Sequence, residues 1–206
     1  MLKFEITSGK IHITDPCYDT KTWCGIYDQT AKKGAWIGDV TKDGSTIMEL
    51  IVHHEDHLPT GEWSVLPGEV GVDSGQAGVF DAKIYPKGEN NGEADDSKTF
   101  YGRCCRETCD CFDKEHQEKK RELGLESGYG VVDGHGFVSR TAYGDGGYRA
   151  YAQYGDGVVV AVKIVYDSDE EEEANYCIQC GNVEVECDGD ICDECERENY
   201  EEEEND

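Results

Sequence analysis

Positive charge is what this 206-residue chain has least of: 19 Lys and Arg stand against 46 Asp and Glu, a formal net charge of −27. Binding to nucleic-acid phosphates scales with the number that Lys and Arg neutralise, and an acidic surface repels DNA and RNA at long range. Nucleic acid is therefore a disfavoured partner. Long apolar runs are also missing. No stretch approaches the roughly 20 residues that span a bilayer, so no membrane association is expected. The opening Met1-Leu2-Lys3-Phe4-Glu5 runs straight into strand-like alternation and has no apolar signal-peptide core. The eleven cysteines are accordingly read in a reducing cytoplasm, where metal binding outranks disulfides.

The negative charge is uneven. From Asp167 onward there are 19 Asp and Glu and one basic residue, Arg197, so −18 of the −27 lies there and −9 in residues 1–166. This divides the chain into a β-rich main domain (1–166), an acidic linker (167–175), a ribbon (176–197) and an acidic tail (198–206). The acidic runs serve either as solubilising segments or as a face that attracts a basic protein surface.

Within the main domain, residues 2–7 and 10–15 alternate apolar and polar around Ser8-Gly9, the pattern of two strands and a tight turn. Residues 34–41 and 45–54 repeat it around Lys42-Asp43-Gly44. Residues 63–66 and 78–85 are further strand candidates, and the polar stretch 86–97 reads as a loop. Residues 100–123 have the best helical composition, above all 112–123, with Gly124 placed to stop the helix. Residues 148–154 and 158–166 flank Gly155-Asp156-Gly157, the clearest hairpin. The run Val158 to Val162 is apolar on both faces and suits a central strand. The expected fold class is α+β, predominantly antiparallel β with at least one helix, followed by a small C-terminal zinc ribbon.

The ribbon rests on Cys177 and Cys180, then Cys192 and Cys195. Two residues separate the members of each pair, so a tight turn aims both sulfurs at one point. Two such knuckles supply the four thiolates of a Zn²⁺ tetrahedron. Few apolar residues lie between them, so metal binding would supply the folding energy. Four thiolates close the site to water, which makes it structural rather than catalytic. A second group, Cys104, Cys105, Cys109 and Cys111, lacks the paired spacing. Packing is the reading for Cys104 and Cys105, although Cys105 and Cys109 would share a helix face.

Three further stretches place a carboxylate beside a residue that bends or fixes the chain: Asp15-Pro16-Cys17-Tyr18, Val72 to Asp81, and Tyr143 to Tyr148. Such turns expose Asp oxygens and backbone N–H groups, and they also simply connect strands. Asp73, Gln76, Asp81 and Asp145 are the candidate ligand-binding residues. Asp73, Asp81, Asp133 and Asp145 would form an acidic cluster if the fold gathered them. No nucleophile frame is evident: His12 and Cys17 differ by an odd number on a strand, and Ser139 lacks flanking elbow glycines. His53, His54 and His57 have no carboxylate partner at a recognised spacing.

At these stretches, and at Phe100-Tyr101 with Cys104-Cys105, the chain resembles a family of domains of unknown function from bacteria and tailed phages. Four ordered blocks over roughly residues 1–166 carry the resemblance. It implies a bacterial or phage setting, hence a bacterial or host cytoplasm, and makes Cys104-Cys105 part of the common domain. It implies no reaction. The expected function is a non-enzymatic, zinc-binding interaction protein acting on a protein with a basic surface or on a small ligand. The alternatives are a hydrolase or nucleotide-handling enzyme built on the Asp-rich turns, and nucleic-acid binding through the ribbon.

Overall fold

Leu2–Ile6 (β1) and Lys10–Thr14 (β2) are strands, as their alternation implies, but they do not form a hairpin. They belong to different sheets. The reason lies far away in sequence. The buried carboxylate of Asp81 accepts the Thr7 N–H at 2.6 Å, the Thr7 hydroxyl at 2.7 Å and the Ser8 N–H at 3.1 Å. The chain turns a corner on that anion, with Gly9 at φ 77°, a backbone state that costs glycine little.

A computed structural model describes residues 1–87 and 98–166, and Met1–Asp167 is one compact unit. After β2 come Ile26–Thr30 (β3), Gly34–Asp43 (β4), Thr46–His54 (β5), Ser64–Val65 (β6), Val70–Val72 (β7) and Gln76–Asp81 (β8). Two helices follow, Phe100–Thr108 (α1) and Lys114–Glu122 (α2). Tyr129–Val132 (β9), Gly136–Arg140 (β10), Gly146–Gly155 (β11) and Val158–Val165 (β12) complete the unit. One sheet has the order β1-β4-β5-β12-β11-β6, with β7 also on β11; the other runs β3-β2-β8-β10-β9. All strand pairs are antiparallel. The α+β class, mostly antiparallel, is as expected, and the ribbon cysteines lie outside the described residues.

The hairpins with Asp-Gly turns form as read. Gly44 takes φ 57° between β4 and β5; Asp156 and Gly157 take φ 51° and 79° between β11 and β12. That paired left-handed geometry matches the twist of the flanking strands. β12 is indeed interior, between β5 and β11. Strand β8 is buried at every position because its sheet is covered on both faces. Ala77 and Val79 face the other sheet, with Ile6, Ile13, Trp36, Phe137 and Val162. Phe80 faces the opposite way, against Tyr85, Phe100 and Cys104. Each such side chain, once fully buried, contributes about 1.5–3 kcal/mol. The sheets approach closely where Gly38 has no Cβ; one would sit 2.4 Å from the Phe137 ring.

The helical stretch is two helices rather than one. Thr99 caps α1 by accepting the Gly102 N–H at 2.9 Å; Asp113 caps α2 by accepting the His116 N–H at 3.0 Å. Between them the chain turns over residues 109–113. Gly124 ends α2 at φ 71°. Helix α2 has almost no apolar face and docks through polar groups. Buried Lys120 donates to the carbonyls of Glu107 (2.9 Å) and Tyr129 (2.6 Å) and lies 3.5 Å from the Glu107 carboxylate. Burial lowers the Lys120 pKa, and Glu107 opposes the shift. Among the described residues, no helix is long and apolar enough to cross a membrane.

Candidate functional site

Asp15 directly follows β2 and is fully buried. Its Oδ1 accepts the Cys17 N–H at 2.8 Å and the Ser74 hydroxyl at 2.7 Å. Its Oδ2 accepts the N–H groups of Asp73 at 2.8 Å and Ser74 at 2.9 Å. One carboxylate thus joins the Asp-Pro-Cys-Tyr stretch to the turn between β7 and β8. The same turn reaches the third motif: the Thr141 N–H donates to the Gly75 carbonyl at 2.9 Å, and a Cβ on Gly75 would meet the Gly144 Cα at 3.8 Å. Three stretches, separated in sequence, meet at one edge of the fold.

Helix α1 closes the site from the other side. Gln76 at the start of β8 donates to Cys105 Sγ at 3.3 Å and accepts the Thr108 hydroxyl at 2.9 Å. Burial raises the Cys105 pKa, against hydrogen bonds from Gln76 and Tyr101 that lower it. Cys17 is pushed strongly upward by burial and by the adjacent Asp15 carboxylate. Burial raises Tyr101 too, with Cys105 adding to the shift. These thiols are protonated near neutrality, whereas a cysteine nucleophile works as the thiolate. A carboxylate offers about four lone-pair sites, and those of Asp15 are filled by its four donors. The arrangement ties two of the three stretches directly to one buried carboxylate, and the third through Gly75.

The candidate ligand residues fall in different places. Asp73 and Gln76 belong to this site, with Asp73 exposed and Gln76 buried. Asp145 is exposed in the connection before β11, one residue from Gly146, which pairs with Val72. Asp145 therefore lies beside the Asp73 turn. Asp81 is at the far end of β8, about 17 Å from Gln76 at the usual rise per strand residue. Its oxygens bind Thr7, Ser8 and the Lys83 N–H (2.9 Å). Asp133 pairs with Arg103 at 2.9 Å in the β9–β10 turn. The aspartates thus do not gather into one cluster. His12 accepts the Asp28 N–H at 3.1 Å and packs edge-on against Tyr27 and Tyr85. Ser139 shares a buried hydrogen bond with the Tyr166 hydroxyl at 3.0 Å. His54 is buried, with one ring nitrogen accepting the Asp56 N–H at 3.1 Å and the other 3.2 Å from the Lys33 carbonyl. Among the described residues no group of three His, Cys, Asp or Glu is placed to hold a metal. Cys177, Cys180, Cys192 and Cys195 lie outside those residues.

Sequence reasoning missed Trp23. Its ring stacks on Tyr18 with centroids 4.8 Å apart and planes 15° apart, and it is 44% exposed. The Tyr18 hydroxyl donates to Asp73 Oδ2 at 2.7 Å, and that bond pushes the phenol up to about 12. The segment is held from beneath. The Tyr85 hydroxyl bonds the carbonyls of Asp15 (2.9 Å) and Tyr18 (2.6 Å), and the Thr20 hydroxyl donates to the Pro86 carbonyl at 2.8 Å. Gly71 makes room for Trp23: a Cβ there would sit 2.9 Å from the indole nitrogen. The signal in the sequence was a Trp five residues after the motif tyrosine, in a segment without strand periodicity.

No protein-family model matches the chain, and no curated protein or solved structure is detectably similar to it.

Proposed function

We propose that this chain is a non-catalytic binding protein that docks on a basic surface of a partner protein, in a bacterial or phage-infected cytoplasm. The observation that carries this reading is the Tyr18–Trp23 stack, presented at the surface with the Asp73 carboxylate against its rim. An Arg or Lys head group laid on an aromatic face gains roughly 0.5–2 kcal/mol, and a neighbouring carboxylate adds charge-assisted hydrogen bonds. Rigidly held aromatic anchors are the residues that dominate protein interfaces. The formal charge of −27 supplies a field that speeds encounter with a basic partner. A four-thiolate zinc ribbon formed by Cys177, Cys180, Cys192 and Cys195 is part of the same proposal, and 19 Asp and Glu against one Arg from Asp167 onward add to the field.

The test compares wild type with Trp23→Ala for proteins captured from the native host, under crosslinking and across a salt series. The substitution is expected to weaken capture of a basic partner at least tenfold while leaving the unfolding transition in place. Equal recovery of the same proteins by both forms would remove the Trp23 edge from the interface. Turnover of phosphoesters or nucleotides, abolished by Asp73→Asn, would instead favour the hydrolase reading.

A further inference from the structure

Helix α1 ends on a pair of cysteines that the binding surface does not use. Cys109 is the helix C-cap: its N–H donates to the Cys105 carbonyl at 2.8 Å, and its backbone is extended at φ −109° and ψ 122°. The chain then turns, and the Phe112 N–H reaches back to the Cys109 carbonyl. That turn folds Cys111 onto Cys109, with their sulfur atoms 2.7 Å apart. Cys109 is half-buried and Cys111 is exposed. Cys104 and Cys105, one turn earlier, are buried.

We infer that Cys109 and Cys111 form a redox-active dithiol that exchanges with low-molecular-weight disulfides of the glutathione class. The neighbouring Cys109 raises the Cys111 pKa, but Cys111 is exposed, and the fraction of it present as thiolate attacks one sulfur of the small disulfide. This forms a mixed disulfide and releases one small thiolate, which takes up a proton. The Cys109 thiolate then attacks the Cys111 sulfur and expels the second small thiol. The two protein thiols are oxidised to one internal disulfide, and the small disulfide is reduced to two thiols. The second step is fast because the sulfurs already touch, so no loop must close first. The product ring spans a single intervening residue, Asp110. Strained and exposed disulfides are the readily reduced, reversible ones. The pair therefore serves as a sensor of thiol–disulfide balance rather than as a structural staple. Its position matters because α1 also carries Cys105, which receives Gln76, and Glu107, which holds Lys120.

Tryptic cleavage after Arg106 and Lys114 releases residues 107–114, a peptide whose only cysteines are Cys109 and Cys111. The folded full-length chain is equilibrated with reduced and oxidised glutathione in varying ratio, acid-quenched, alkylated and digested. As the buffer becomes oxidising, alkylation of this peptide is expected to fall at least tenfold. A form two hydrogens lighter than the unalkylated dithiol peptide should replace it, and dithiothreitol before alkylation should restore the alkylated one. Cys109→Ser should instead leave a stable glutathione adduct on Cys111. The inference is overturned if the wild-type peptide stays fully alkylatable at every ratio. It is also overturned if the peptide is recovered only with two glutathione adducts, or only crosslinked to another cysteine of the chain.

Discussion

Asp15 and Ser74 are joined twice over, by the Ser74 N–H at 2.9 Å on one carboxylate oxygen and the Ser74 hydroxyl at 2.7 Å on the other. This bidentate contact couples residues 59 positions apart. It also fixes the base of the segment on which Tyr18 and Trp23 stand.

Removing that carboxylate should loosen the whole edge. Asp15→Ala strands three part-buried N–H donors and a hydroxyl, and a donor left unpaired away from water costs about 1–3 kcal/mol. A loss of about 3 kcal/mol or more is expected in urea unfolding. Asp15→Asn should not rescue it, because its NH₂ group faces donors. Wild-type stability in Asp15→Asn would show that the charge and acceptors at this position are dispensable.

Asp81 makes stability depend on acid. Burial raises its pKa, but hydrogen bonds from Ser8, Lys83 and Thr7 outweigh that and bring it from 3.8 to about 2. The folded value lies below the unfolded one, so its contribution is complete above about pH 4 and drains away as pH falls towards 2. The contribution is on the order of 2 kcal/mol. Unfolding free energies measured between pH 5 and 2 should drop less steeply for Asp81→Asn than for wild type. Parallel slopes would mean that other carboxylates carry the acid sensitivity.

The main unit should fold without the acidic C-terminal segment, provided that Tyr166 is kept. Its N–H donates to the Met48 carbonyl at 2.8 Å, its hydroxyl meets Ser139 at 3.0 Å, and its ring packs edge-on against Tyr148. A chain ending at Tyr166 is expected to melt in one cooperative transition. Ending at Val165 should lower the midpoint by several degrees, because a fully buried aromatic is lost. A non-cooperative melt of the longer form would show that residues beyond 166 belong to the same core.

One zinc ion per chain is expected on elemental analysis of protein made with ample zinc. Cys177→Ser with Cys192→Ser should abolish it, since each knuckle then keeps a single thiolate. The melting of residues 1–166 should not change. Zinc-free wild type would rule out the ribbon.

Local chemistry was legible in the sequence, and long-range coupling was not. The β4–β5 and β11–β12 hairpins announce themselves because alternation and the Asp-Gly turn lie in one window of residues. The β1–β2 corner looks identical in such a window; what redirects it is Asp81, more than 70 residues away. Likewise, the three motif stretches stood out one by one as unusual turns. Their convergence depends on hydrogen bonds from Asp15 to Asp73 and Ser74, which no spacing rule reveals. The division of the helical stretch was readable in principle, since Asp113 has the chemistry of an N-cap. Strand β3 was not, because its residues show no clear alternation. Trp23 escaped because an exposed aromatic in an irregular segment has no period to betray it.

The strand order sets a timetable for synthesis. In the larger sheet β12 lies between β5 and β11, with Val162 opposite Val52, so the two partners are 162 − 52 = 110 positions apart. At a ribosomal pace of about 5–20 residues per second, the apolar edge of β5 waits on the order of 5–20 seconds for its neighbour to be made. Pairings this distant also close slowly in the finished chain. Until β12 is made, a nascent polypeptide with this topology carries an unpaired apolar strand edge, and slowing translation late in the message would lengthen its exposure to aggregation.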